Sequence, residues 1–458
     1  MQFVFSQIIN ISEGDKAITM KNLLKRFYSP LVVAWGRTPV VWLWRTPKSN
    51  LEFIRQIESR FYKSDWKSPK LRFMSWCLYF PMLLIWPIRV LVITVRQYRN
   101  HADETHQLHH VSRIAQISDL LLIGLRYWVS PEIYYMFEIY LDRDISKART
   151  FLLENTMTSL MGHINADTSD LHIEDKHCFN AAMSARGFPV IEDLGLATQG
   201  RIVDANGNAL KLPGCDLIAK PNIGLEGRGL IRFKWLGNYQ YQSSTGTLYS
   251  TEQLQQLLVK LSHRETYLIQ PRMINHPAID DLANGQFCTC RIITGMSSTG
   301  QTEVVTAVFK MPTGDAIADN FGAGGLASAI DLKTGKLGRA VYKQKYLIEF
   351  DKHPDTGAVI TGRELPCWID TIDLVTQAHR QVDGEFAFLG WDVGINESGP
   401  VIVETQVTFG FILCQRPARV GLCETRFSDI YAQWIDPDTL EVISNKNVSD
   451  TLSKVSGG

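Results

Sequence analysis

A carboxylate and an amide two strand positions apart, opposed across a turn by a second carboxylate, gather oxygen ligands in one place. The stretch "GWDVGINESGPVIVETQ" (390–406) has that pattern. Two apolar runs flank Asn396-Glu397-Ser398-Gly399, which reads as a hairpin turn between strands. Opposed residues of a hairpin have numbers with a nearly constant sum, so Asp392 and Glu404 face each other within about one residue of register. Glu404 and Gln406 then share a face. Like charges placed opposite one another destabilise a strand pair. A hard cation such as Mg2+ prefers oxygen and binds through one or two carboxylates plus substrate phosphates, which would turn the repulsion into attraction. The plain alternative is a wet surface hairpin whose carboxylates splay apart, and the apolar texture of "PVIVETQV" argues against full exposure.

A second constellation is "LIAKPNIGLEGRGLIRF" (217–233), where an apolar strand ends in Lys220 and a loop with Gly224, Gly227 and Gly229 follows. Glycines let backbone N–H groups approach phosphate oxygens, and a nearby ammonium neutralises them. The spacing is neither a P-loop nor G-x-G-x-x-G, and taken alone a strand–turn–strand connection that uses glycine for geometry is the plainer reading. "TYLIQPRMINHP" (266–277) is a strand ending in Gln270-Pro271. "FCTCRIITG" (287–295) sets Arg291 in an apolar run, where a guanidinium requires a carboxylate or a phosphate; a structural salt bridge and an anionic ligand both remain open. "ADNFGAGGLAS" (318–328) adds a second glycine loop beside Asp319 and Asn320, with a wide turn as its alternative reading.

These residues need elements to hold them. The chain has 458 residues, enough for two to four structural units. Its zero net charge hides an asymmetry: residues 1–100 carry 16 Lys/Arg against 5 Asp/Glu and six of the 11 Trp. Basic residues mixed with Trp and long apolar runs suit a membrane surface. The most apolar stretch, 73–95, has only 16 residues between Arg72 and Arg89, about 24 Å of helix, against the ~30 Å of a hydrocarbon core. Pro81 and Pro87 would bend or break it, and positive charge at both ends keeps both ends cytoplasmic. A re-entrant or surface-lying helical hairpin follows, with a buried helix pair as the alternative. "NHADETHQLHH" (100–110) reads as a solvated linker. Residues 111–185 have helical periodicity, short alternating strands take over after 186, and "TEQLQQLLVKLSH" (251–263) is an amphipathic helix with a Thr cap. The polar end reads as a disordered tail. The eight Cys make no C-x-x-C pair, and Cys288 and Cys290 read as packing residues of a strand in a reducing compartment. The start shows no secretory signal pattern.

Taken in order, these pieces resemble the ATP-grasp superfamily. "EDKHCFNAAMSARGFPVIE" (174–192) resembles the segment in which a first lysine, here Lys176, precedes a helix. "AKPNIGLEGRGL" resembles the second lysine with its phosphate-covering loop, and "YLIQPRM" the adenine hinge, which places Gln270 there. Asp392 with "VETQ" resembles the D…E-x-N metal hairpin, with Gln406 in place of the usual Asn. "QPRMINHP", "CRIITG" and "DNFGAGGLASAIDLKTGKLG" bring it closest to the sugar-transfer-associated branch. The resemblance covers roughly 170–435 and implies an α+β fold in which two subdomains clasp ATP, preceded by a helical, membrane-associating region. Domain expectations are 1–110 basic and Trp-rich, 111–195 helical, 196–275 the small subdomain, 276–435 the metal-bearing subdomain and 436–458 a tail. The implied cofactors are ATP and Mg2+, held by Lys176, Lys220, the glycine loop and Gln270, and by Asp392, Glu404 and Gln406 respectively. Arg291, with Asn320 beside it, is expected to stabilise a transferring phosphoryl group. The implied activity is a carboxylate–amine ligase working through an acylphosphate in cell-surface polysaccharide or related precursor biosynthesis, at the inner membrane face, on a small-molecule or lipid-linked sugar substrate. Nucleic acid is not implied. A small-molecule kinase and a catalytically silent membrane scaffold are the alternatives.

Overall fold

A computed structural model describes residues 49–52, 54, 69–142, 144–165, 173, 175–224, 228–314, 316, 318–436 and 442–443. Gly227, residues 1–48 and most of the expected tail lie outside the described residues. The chain divides after Tyr134 into two compact units.

In the first unit, helix α1 (Pro69–His109) runs unbroken through Pro81 and Pro87. The expected hairpin inside 73–95 is therefore one straight-through helix, and the expected linker at 100–109 is its last turns. Tertiary packing overrides the breakers here. His110 turns the chain with a left-handed φ of 56°, and Ser112 caps α2 (Arg113–Arg126) by accepting from Ala115 N. The two helices pair along their length. Gln116 Nε2 donates to Ala102 O, and Trp86 Nε1 donates to Gly124 O at 2.9 Å. Gly124 is required there, because a Cβ would sit 2.4 Å from a methyl of Val90. Among the described residues no helix is long and apolar enough to cross a membrane.

The second unit opens with α3 (Glu154–Ile164) and α4 (Lys176–Ala185). Its strands are β1 (Gly195–Thr198), β2 (Arg201–Val203), β3 (Leu217–Pro221), β4 (Ile231–Gly237), β5 (Gln240–Ser243), β6 (Leu248–Ser250), β7 (Tyr267–Pro271), β8 (Thr289–Met296), β9 (Thr302–Met311), β10 (Leu326–Ile330), β11 (Leu337–Tyr342), β12 (Glu349–Phe350), β13 (Phe388–Asn396) and β14 (Gly399–Gln406). Among the described residues they form two antiparallel sheets, β2-β1-β7-β3-β4-β5-β6 and β12-β11-β10-β9-β8-β13-β14. Helix α5 (Thr251–Ser262) covers the first sheet. Its cap is Ser250 rather than Thr251: Ser250 and Gln253 form a reciprocal capping box. Helix α6 (Trp368–Gln381) covers the second sheet, and the short helices α7 (Phe411–Gln415) and α8 (Arg426–Gln433) follow β14.

Alternation assigns each sheet one apolar face. Leu217, Ala219, Tyr267 and Ile269 pack with Leu254 and Leu258 of α5, so Lys220 and Gln270 lie on the other face. Cys288, Cys290, Ile292, Trp391, Val393 and Ile395 join Val375 and Ala378 of α6 in the second core. That leaves Arg291 and Asp392 on the face away from α6. Cys288 and Cys290 are buried packing residues, as their alternation along a strand implied.

Candidate functional site

The β13–β14 hairpin pairs Asn396 with Gly399 across a two-residue turn, and pairs Asp392 directly with Glu404. The register shifts between Asp392 and Val393, where Val403 is the extra residue. Without that bulge Asp392 would oppose Val403. The bulge is therefore what sets the two carboxylates opposite each other.

The opposed carboxylates are reconciled by cations of the chain itself. Arg291, opposite Asp392 on β8, donates from Nε to Oδ1 at 2.7 Å and from Nη2 to Oδ2 at 3.0 Å. Lys310 of β9 donates to Oδ2 at 3.1 Å. Lys310 also lies 3.6 Å from Asp319, whose other oxygen accepts from Thr289 N and Oγ1. All four charged groups are buried. Burial alone would push the Asp392 carboxyl up, but Arg291 and Lys310 pull it well below the usual carboxylate range. Burial holds the Asp319 carboxyl above its ordinary value despite Lys310. Arg291 directs Nε and Nη2 of its fork to Asp392, the structural salt bridge that the sequence left open beside an anionic ligand. Asn320 accepts from Gly322 N and shapes the second glycine turn. Lys310, which sequence reasoning missed, carried the same signal as Arg291, a lone cation in the apolar run "VVTAVFKMP".

Glu404 and Gln406 face outward into a cavity of about 610 Å³. Gln406 Nε2 lies 2.7 Å from Glu404 Oε1, and Glu404 Oε2 lies 3.8 Å from Lys176 Nζ. Lys176 begins α4, and its ammonium donates to Gly224 O at 2.8 Å. The start of α4 is docked on the same turn, since His177 N donates to Asn222 Oδ1. Lys176, Gly224, Gly229, Glu404 and Gln406 therefore line one cavity, together with Arg228 and Glu265, which the sequence did not single out. Gly229 has a φ of 76°, and a Cβ there would press on Pro221 at 2.9 Å; glycine is needed for the loop to fold back on its strand.

Lys220 lies behind this wall. Burial lowers its pKa and neighbouring Lys176 lowers it further, while Glu404 opposes the shift. The buried ammonium thus sits in the field of both the first lysine and the hairpin carboxylate. Gln270, expected at the adenine hinge, directs Nε2 to Asp193 Oδ1 at 2.8 Å. Asp193 also accepts from Asn180 Nδ2 and pairs with His177 Nδ1. Asp193 is a second residue the sequence did not single out.

An oxygen-ligated cation fits this wall through two donors. Glu404 and Gln406 stand side by side at the cavity, Glu404 meeting Gln406 and Lys176, whereas Asp392 is buried with both oxygens paired to Arg291 and Lys310. Among the described residues no group of three or more His, Cys, Asp or Glu side chains is arranged to hold a metal. Two protein donors suit Mg2+, which takes the rest of its shell from water and phosphate.

Residues 155–428 match the family described as sugar-transfer associated ATP-grasp, which is more than half of the chain. The chain belongs to that family. None of the curated proteins matches it. Among solved structures, this ATP-grasp chain is similar to D-cycloserine synthetase DcsG, with 12% identity and a TM-score of 0.31 over 66% of this chain and 82% of that one. It is similar to D-alanine–D-alanine ligase from Bacillus anthracis, with 12% identity and a TM-score of 0.32 over 65% of this chain and 81% of that one. It is also similar to N5-carboxyaminoimidazole synthetase from Staphylococcus aureus complexed with ADP, with 8% identity and a TM-score of 0.30; 54% of this chain and 52% of that one are covered.

Proposed function

We propose that this ATP-grasp protein is an ATP-dependent ligase that joins a carboxylate to an amine or similar nucleophile. Its substrate is a small-molecule or lipid-linked precursor of a cell-surface polysaccharide or related compound, met at the inner face of the membrane. The observation that carries the reading is the convergence of Lys176, the glycine turn, Glu404 and Gln406 on one cavity, with buried Lys220 behind it. Phosphoryl transfer requires positioning and charge neutralisation more than a protein nucleophile, and two ammonium groups beside a glycine turn supply both.

In this reading the substrate carboxylate oxygen attacks the γ-phosphorus, ADP leaves, and an acylphosphate forms. The amine then attacks the acyl carbon, loses a proton, and inorganic phosphate leaves. Lys176 and Lys220 neutralise the phosphates, and Gly224 and Gly229 let the backbone approach them. Glu404 and Gln406 would hold Mg2+, which neutralises phosphate charge when bound. Arg291 and Lys310 act as positioning residues: they fix Asp392 and through it the bulged end of the hairpin that carries Glu404. Asn320 holds the second glycine turn.

The test is an ADP-release screen with pools of amino acids, sugar acids and nucleotide sugars. Release that needs both a carboxylate and an amine supports the ligase. Release with a hydroxyl compound and no amine requirement replaces it with a kinase. A folded protein that shows no thermal shift with Mg·ATP is a scaffold, and the reading fails.

A further inference from the structure

Among the described residues of the first unit, one side of α1 has no partner. Leu84, Ile88, Leu91, Val92 and Val95 are 80%, 63%, 55%, 62% and 48% exposed. At about 100° per residue these five fall within an arc of roughly 100°. The other side of the same stretch is already used: Trp86, Val90 and Thr94 are buried. The helix is thus apolar twice over, once toward α2 and once toward the outside. No charged residue is exposed between Leu84 and Val95. Arg89 is half-buried and lies over the Trp86 ring, 5.5 Å from its centroid. Immediately beyond the strip, Arg96 and Arg99 are exposed.

The geometry points to this strip as a membrane-contact face that lies in the plane of an anionic bilayer. The inference rests on the membrane half of the proposed function, and not on its ATP chemistry. From Leu84 to Val95 the helix spans about 18 Å, too short to cross ~30 Å of hydrocarbon and long enough to bury one side at the headgroup boundary. Charge selects the partner. Residues 1–100 carry 16 Lys/Arg against 5 Asp/Glu, so a second copy of the same unit is repelled, whereas anionic headgroups are attracted. Arg99 lies about 60° around the helix from Leu84, at one end of the strip, where its stem can follow the apolar surface while the guanidinium reaches phosphate.

The experiment is co-sedimentation of the full chain with vesicles of phosphatidylcholine alone and of phosphatidylcholine with phosphatidylglycerol. The wild type should bind the mixed vesicles more tightly. Ile88→Glu combined with Val92→Glu should weaken binding about tenfold or more. Leu248→Glu, the same change at an exposed apolar residue of the other unit, should leave binding unaltered. Arg96→Gln with Arg99→Gln should reduce the preference for phosphatidylglycerol while retaining part of the binding. Circular dichroism and ADP release are measured on each variant, so that a folding defect is seen directly. Vesicle binding by the double glutamate variant at the wild-type level overturns the inference. So does a wild type that ignores vesicles but sediments as a dimer dissolved by the same variant, since the strip would then receive a second copy. Vesicle binding without any ADP release would refute the ligase and leave this inference standing.

Discussion

Replacing Asp392 with Asn separates two accounts of the hairpin carboxylates. The Asp392 carboxylate is buried and receives three charged N–H donors, at 2.7, 3.0 and 3.1 Å. Asn preserves the volume, removes the charge, and turns an amide donor toward the guanidinium. Two unit charges 4 Å apart attract by about 4 kcal/mol at an effective dielectric of ~20. Removing one partner of a buried pair costs about 3–5 kcal/mol. Lys310 retains a second anion, Asp319 at 3.6 Å, so the lower end applies. The expected loss is about 3 kcal/mol, a large part of the ~5–15 kcal/mol that holds a typical domain folded. Urea unfolding followed by tryptophan fluorescence, in EDTA, measures it. The pH dependence carries a sign. Because the folded carboxyl is held well below its ordinary range, its stabilisation is present above the unfolded value of about 3.9 and is lost as pH falls toward the folded one. The gap between wild type and variant should therefore shrink below about pH 4. If a divalent ion were the main partner instead, the metal-free protein would carry two repelling carboxylates, and Asn would leave its stability unchanged or raise it. A loss below about 1 kcal/mol in EDTA refutes the ion-pair reasoning.

Nucleotide affinity should fall as pH rises toward the lowered pKa of Lys220, earlier than for an ordinary lysine near 10.4, because the phosphates need the ammonium that burial and Lys176 disfavour. Fluorescence titration with Mg·ATP across pH 7 to about 10 shows this, and Lys220→Met should remove both the affinity and the pH dependence. Glu154 of α3 accepts from Phe411 N and Ile412 N at 3.1 and 3.2 Å at the start of α7. Glu154→Ala should cost about 2 kcal/mol in urea unfolding by leaving two backbone donors unpaired, and Glu154→Gln should restore about half of it.

What the sequence made legible was local, and what it hid was assembled across strands. The pairing of Asp392 with Glu404 follows from a turn and a two-residue period, both contained within 390–406, so it could be read to within a residue. The bulge at Val403 could not, because either register buries a plausible set of side chains. Like charges need a cation, and the chain itself supplies two at Asp392. Arg291 lies about a hundred residues upstream and Lys310 one strand further from the hairpin, and only the order β9-β8-β13-β14 brings both ammonium and guanidinium to Asp392. Arg291 and Lys310 are each a lone basic residue in an apolar strand, and with Asp392 and Asp319 they form a buried cluster of two cations and two acids. The error at α1 has the same origin. Pro81 and Pro87 oppose a helix locally by removing hydrogen bonds, yet Trp86, Val90 and Ala102 meet Gly124 and Gln116 of α2, partners that no window around either proline contains. Local rules therefore reached Glu404 and Gln406, which line the cavity, and left the layer of Arg291, Lys310 and Asp392 open, because that layer is set by neighbours on other strands.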